Sequence, residues 1–184
     1  MSRAAKTQQT RDSILNAAES LFSSQGYQAT TINQVAGEVG IQGPAIYKHF
    51  ANKRALFEEV VERLFAPFTE LLEAELEEEN RQLAIIRQHL ANPNASRILQ
   101  HATLSGGEDL ELLVERWYLA FFGEARSLAN SGTAGFTPVS VMAAHSMLLG
   151  YLSLAPLHQR IFGEDPLRTE ALEELTTLQL SLQP

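Results

Sequence analysis

The run Gly26-Tyr27-Gln28-Ala29-Thr30-Thr31-Ile32-Asn33-Gln34-Val35-Ala36 is followed, after three intervening residues, by Gly40-Ile41-Gln42-Gly43-Pro44-Ala45-Ile46-Tyr47-Lys48-His49-Phe50 and then by Asn52-Lys53-Arg54-Ala55-Leu56. Gly26 is placed to stop a helix, as glycine commonly does just past a helix end. Thr30 or Thr31 can cap the next helix, in which Ile32, Val35, Ala36 and Val39 share one face. Gly40 supplies a tight turn. Pro44 fits the first turn of a short helix over about Gly43–Phe50, where a missing N–H costs nothing. Ala36 is small enough to let the two short helices approach, while Val35, Ile41 and Ile46 fill the wedge between them. Such a pair turns the outer side of its second helix to solvent, in a shape that enters the major groove of DNA.

Working outward, Ile14, Ala18, Leu21 and Phe22 fall on one face of a helix over about Gln9–Gln25, which completes a three-helix head. Asn52 caps a long helix from Lys53 that carries Leu56, Phe57, Val60, Leu64, Phe68, Leu71 and Leu72, with a kink or break expected at Pro67. The glutamate-rich run from Glu73 to Glu79 reads as a solvated helix end. Further helices are expected over about Arg81–Leu90, Ala95–Leu104, Glu108–Ala129, Pro138–Leu154 and Pro166–Leu182. Asn92-Pro93, Gly106-Gly107 and Ser131-Gly132 mark the breaks. No segment alternates as a strand does, and no period repeats. The fold class is therefore all-α: an N-terminal three-helix helix-turn-helix head, residues 1–52, on a larger helical ligand-binding and dimerisation body, residues 53–184.

The 184 residues are 45% hydrophobic, enough to bury a core, and include no cysteine, which excludes disulfides and thiolate chemistry. The polar, basic N-terminus lacks the apolar centre of a signal peptide. The apolar stretch Ala134–Leu157 is interrupted by Pro138, His145 and Pro156 and reads as a buried helix rather than a membrane span. A cytoplasmic location is expected. Net charge is −8, but residues 1–55 carry six basic and three acidic side chains, while the other 129 carry eight and nineteen. A basic head on an acidic body can meet phosphate with one end while the rest repels it.

Enzyme chemistry has no foothold. There is no phosphate-cradling glycine loop, and no signature singles out a triad. His49, His89, His101, His145 and His158 lack the spacing that places two metal ligands on one helical face. Neither metal nor cofactor is expected.

The motif from about Arg11 to Leu56 resembles the N-terminal region of the TetR (tetracycline-repressor) family: a glycine-aromatic turn, threonines, an Ile-x-x-Val-Ala helix and the Tyr47-Lys48-His49-Phe50 segment. The resemblance implies a ligand-responsive transcriptional regulator, a repressor that binds palindromic operator DNA as a dimer and is released by a small apolar effector. An activator on the same fold, or an all-helical interaction protein without DNA binding, are the alternatives. By the same resemblance Thr31 would bond a phosphate at the start of the second helix. Gln42, Gly43 and Pro44 would open the recognition helix nearest the base edges, with Tyr47, Lys48, His49 and Lys53 on phosphates or bases. Gln42 stands where a capping serine is frequent, and Gly43 where a longer polar side chain often reads a base. Pro44 and Ala45 would then meet thymine methyl groups.

A head reading a palindrome needs a two-fold partner. Leu167, Ala171, Leu175 and Leu178 form one stripe on the last two helices, and Leu148, Tyr151 and Leu152 belong to a second; a homodimer interface built from them is the expectation. In relatives such middle helices enclose an effector pocket. Phe68, Leu72, His101, Leu104, Trp117, Tyr118, Phe121, Met142 and His145 are the candidates here, and their apolar character implies a hydrophobic or aromatic effector.

Overall fold

The first helix, α1 (Arg3–Ala29), is interrupted at Gly26, whose φ of 82° and ψ of 165° lie outside the helical region. A computed structural model of the chain describes residues 3–75, 77–132 and 137–181, the side chains of residues 3, 72, 78, 79, 82, 124, 125, 128 and 129 excepted. Every regular element among the described residues is helical. After α1 come α2 (Ile32–Val39) and α3 (Gly43–Ile46). Thr31, rather than Thr30, caps α2: its Oγ1 accepts from the Gln34 N–H at 3.2 Å, and Gln34 Oε1 accepts from the Thr31 N–H at 2.8 Å. This reciprocal box satisfies donors that a helix start leaves unpaired. Gly40 closes α2 in the left-handed conformation expected of its turn.

The helices group into two compact units, residues 1–66 with 93–113 and residues 67–92 with 114–184. The border between the two units lies inside α4 (Lys53–Glu73), between Ala66 and Pro67. Asn52 does cap α4, its Oδ1 accepting from the Ala55 N–H at 2.8 Å. The first unit adds α6 (Pro93–Ser105), which packs on α1, and α7 (Gly107–Leu113). Ile14, Ala18, Phe22, Val35, Ile46, Leu56, Phe57, Val60 and Leu64 are sealed from solvent in it. Burying the valine, leucine, isoleucine and phenylalanine side chains among them stabilises by roughly 1.5–3 kcal/mol each. The rings of Phe22, Tyr27 and Phe57 form a triangle with centroids 4.7 to 5.8 Å apart.

The second unit contains α5 (Glu78–Ala91), a π-helical turn (Val114–Tyr118), α8 (Leu119–Phe121), α9 (Gly123–Asn130), α10 (Pro138–Phe162) and α11 (Thr169–Ser181). Its core joins Ile86 of α5, Leu148 of α10 and Leu172 and Leu175 of α11, with Tyr151, Leu152 and Leu167 packed around them. The Tyr151 hydroxyl donates to the Pro166 carbonyl at 2.8 Å.

Three expectations about elements change. Pro67 and Pro156 sit inside helices that continue through them. A proline costs a helix one hydrogen bond and a ring clash, about 3 kcal/mol, and α4 offsets this by burying Leu64, Phe65 and Phe68 on either side of Pro67. The helix expected over Glu108–Ala129 is instead broken by the π-helical turn at Val114–Tyr118, which buries Trp117. The dimer stripe is largely internal. Leu148, Ala171 and Leu175 are buried within the chain, and Tyr151, Leu152 and Leu167 pack on the same core, leaving Leu178, at 52% exposure, as the exposed member. Helical spacing marks an apolar face but does not say which surface covers it. α10 is long and apolar enough to cross a membrane by length and composition. It is nonetheless capped by Thr137 and Gly163 and packs on α9 and α11.

The backbone at Gly26 occupies a region that glycine alone enters readily. A Cβ there would also lie 3.3 Å from His101 Nδ1. Gly26→Ala is expected to lower stability by about 1–3 kcal/mol, read as a shift of the urea midpoint at unchanged slope.

Candidate nucleic-acid interface

Burial sorts the residues around α3 into two sets. Ile46 and Phe50 are buried, whereas Gln42, Pro44, Tyr47 and Lys48 are exposed and His49 is half-buried. Tyr47 leaves 55% of its surface in solvent, so it is an outward aromatic and not part of the core. Gln42 precedes α3 without a side-chain capping bond. Thr31 is exposed at the start of α2, its hydroxyl engaged in the capping box.

The cations of the head divide in the same way. The Arg11 guanidinium pairs with Glu59 and lies 4.9 Å from the Phe50 ring centroid. Arg54 bonds Glu58 at 3.1 Å and the Glu108 carbonyl at 3.1 Å, and meets Asp109 at 3.5 Å. Lys53 was expected on phosphate, but its ammonium donates to the carbonyls of Tyr27 at 2.7 Å and Thr30 at 2.9 Å, 4.0 Å from the Tyr27 ring centroid. Burial pulls its pKa below the ordinary lysine value. Among the described residues Lys6 and Lys48 make no ion pair, and both are exposed. Lys48 is therefore the cation that the motif presents beside α3.

Asp109 was not singled out from sequence, since an acid in a first helical turn reads as an ordinary complement to the helix dipole. In the structure it is buried, accepts from Gln28 Nε2 at 3.3 Å and faces Arg54. Burial raises its carboxyl pKa, while the Gln28 bond and the Arg54 charge oppose that rise. It lines a small cleft of the first unit with Phe22, Tyr27, Phe57, Ile98, His101, Ala102 and Ser105.

The candidate effector residues do not form one group. His101 and Leu104 belong to the first unit, His101 at that cleft and Leu104 87% exposed. Met142 is 65% exposed. Leu104 and Met142 are thus surface side chains, because bulk and helical register do not fix burial. Leu72 lies outside the described side chains. Phe68, Trp117, Tyr118, Phe121 and His145 are in the second unit, and an aromatic cluster forms there. His145 stands 5.6 Å from Tyr118 and 5.0 Å from Phe122, while Tyr118 stands 5.8 Å from Phe121, all between ring centroids. His89, which its sequence spacing does not place in any site, is buried with its ring 4.5 Å from Phe68. Burial, and then the charge of His145, pull the His89 pKa down to about 4. Burial lowers the His145 pKa and raises that of the Tyr118 phenol.

An exposed second helix on a buried Ile46 wedge, among described residues whose regular elements are all helical, is the arrangement of a helix-turn-helix. Residues 14–60 match the family model described as bacterial regulatory proteins, tetR family. The nucleoid occlusion factor SlmA of Haemophilus ducreyi is 30% identical over 107 residues, 53% of each chain. The HTH-type transcriptional regulator AcrR of Shigella flexneri is 34% identical over 96 residues, 52% of this chain and 45% of that protein. The chain spans about half the length of these curated relatives. Over nearly its full length the fold is similar to that of NalD from Pseudomonas aeruginosa, the secondary repressor of the MexAB-OprM multidrug efflux pump. That likeness has a TM-score of 0.65 and 28% identity, and covers 96% of this chain and 97% of that one. Residues 14–60 are thus similar to the N-terminal region of bacterial regulatory proteins of the tetR family, and the described residues form an all-α fold with an N-terminal helix-turn-helix head and a helical body. Members of this family are transcription regulators, typically repressors.

The buried histidine makes stability depend on acid. Unfolded, His89 takes up a proton below about pH 6.5, but folded it does so only near pH 4. Between those values the unfolded chain binds more protons, so stability falls as pH is lowered through that window. The loss attributable to His89 is about 3 kcal/mol. His89→Phe is expected to flatten this part of the curve of melting temperature against pH.

Proposed function

We propose that the chain is a ligand-responsive repressor that binds palindromic operator DNA as a homodimer and is released by a small apolar effector. The observation that carries the reading is the division of cations in the head. Arg11, Lys53 and Arg54 are held by internal partners, while Lys48 stands exposed with Tyr47 beside α3. Thr31, Gln42, Gly43, Pro44, Tyr47, Lys48 and His49 make up the DNA face in this proposal, and Lys53 holds the head together from inside.

Dimerisation is assigned to a face other than the buried stripe. Leu154, Leu157 and Ile161 follow one another at helical spacing on α10, with Phe162 beside them, and each is between 47% and 73% exposed. Leu178 of α11 is exposed as well. Exposed apolar runs of this kind mark contact surfaces, and a second copy would supply the two-fold pairing that a palindrome requires. The effector site is assigned to the second unit, around Tyr118, Phe121, Phe122 and His145, with His89 and Phe68 as a second pair. Effector action requires tighter binding to the DNA-incompetent arrangement than to the competent one.

Two lysines separate the DNA face from the scaffold. In titrations of a duplex from the chain's own upstream region, binding is expected to weaken steeply with salt as counterions are released. Lys48→Ala should weaken binding and reduce the salt slope by about 1 per subunit, with the melting temperature unchanged. Lys53→Met should instead lower stability by about 1.5–3 kcal/mol, the range for hydrogen bonds made by a charged group. Failure of the wild type on this duplex and in random-sequence selection would end the DNA-binding reading.

Phe162→Glu with Ile161→Asp tests the interface. Sedimentation velocity should show the wild type as a dimer and the variant as a folded monomer with weakened operator binding. A variant that stays dimeric would move the interface elsewhere.

A further inference from the structure

Gly43 opens α3 at a place where a side chain would collide with its neighbour. A Cβ built there would overlap Asn33 Oδ1, with Asn33 Cγ 3.6 Å away. Gly43 is not among the glycines with positive φ, so its lack of a side chain serves close approach and not an unusual backbone. Asn33 is the second residue of α2 and is exposed, whereas α2 buries Val35 and Ala36. The other polar groups at this end of α2 are committed. Gln34 Oε1 accepts from the Thr31 N–H at 2.8 Å, and Thr31 Oγ1 accepts from the Gln34 N–H at 3.2 Å. Among the described residues the Asn33 side-chain amide makes no hydrogen bond.

From this we infer that Asn33 reads a base beside the start of the recognition helix, in the place left empty by Gly43. The inference rests on the DNA-binding reading above. A helix in the major groove presents its N-terminal residues to the base edges. Gly43, Pro44 and Ala45 bring no polar side chain there, and Pro44 brings no N–H. The Asn33 amide stands against Gly43 and enters the groove with it, carrying one acceptor and two donors. Its complement is the N6/N7 edge of adenine, which asparagine bonds bidentately. Sequence preference then depends on a residue of α2 as well as on α3, and Gly43 and Asn33 act as a pair.

The test is random-sequence duplex selection with the full-length chain, followed by affinity measurement on the selected site and on single-base changes. Asn33→Ala should lose the preference for adenine at one position in each half-site. Discrimination there should fall from about 5- to 150-fold, the range for one bidentate contact, to near parity. Melting temperature and salt slope should not change, because neither core nor phosphate contacts are touched. Asn33→Asp keeps the shape but only accepts, and should shift that position toward cytosine. Gly43→Ser should displace Asn33 and disturb the same base pair. Selection of the wild-type sequence with undiminished discrimination by both Asn33 variants would overturn the inference while leaving DNA binding intact. Absence of any selected sequence for the wild type would overturn the DNA-binding reading itself, and the inference with it.

Discussion

The head is fastened by one ammonium group. Lys53, the first residue of α4, places its Nζ on the carbonyls of Tyr27 and Thr30, at the broken end of α1, and over the ring of Tyr27. Helix ends leave carbonyls unpaired, and a buried unpaired carbonyl is costly. A single cation satisfies two of them and fixes the start of α4 against the turn between α1 and α2. The Phe22, Tyr27 and Phe57 triangle lies next to this contact, and the capping box of α2 begins one residue after Thr30. The orientation of α2, and with it that of α3, follows from this junction.

A second consequence is electrostatic economy. The head has a surplus of positive charge, yet much of it is internal, with Arg11 on Glu59 and Phe50, Arg54 on Asp109 and Glu58, and Lys53 on backbone. Paired cations contribute little to an external phosphate, because their field is already compensated. Formal charge therefore overstates what the head offers DNA. Lys48 and the hydrogen-bonding surface around α3 carry more of the proposed contact than the net charge suggests.

The second unit is organised around its own core of Ile86, Leu148, Leu172 and Leu175. It also buries polar rings, with His89 beside Phe68 and His145 beside Tyr118 and Phe122. Neutral imidazoles in such surroundings are held there against a desolvation cost. Outside this core α10 carries a row of leucines, an isoleucine and a phenylalanine that are exposed among the described residues.

Much of the head was legible in the sequence because its signals are local. A threonine cap at Thr30 or Thr31, Gly40 as a turn, Asn52 as the cap of α4 and the buried Ile46 each follow from chemistry within a few residues. The body was legible as helices but not as an arrangement. Leu148 and Leu175 have the spacing of an interface stripe and are core, whereas Leu157 and Ile161 have the same chemistry and are exposed. Periodicity defines a face, and only the tertiary structure assigns what lies against it. The same holds for charge: Lys48 and Lys53 look alike in sequence, five residues apart. Lys53 is bound and Lys48, among the described residues, is not, because the fold brings the end of α1 to Lys53 and leaves Lys48 at the surface. Asp109, His89 and the meeting of Asn33 with Gly43 are longer-range facts of the same kind, decided by which helices come together and not by any motif along the chain.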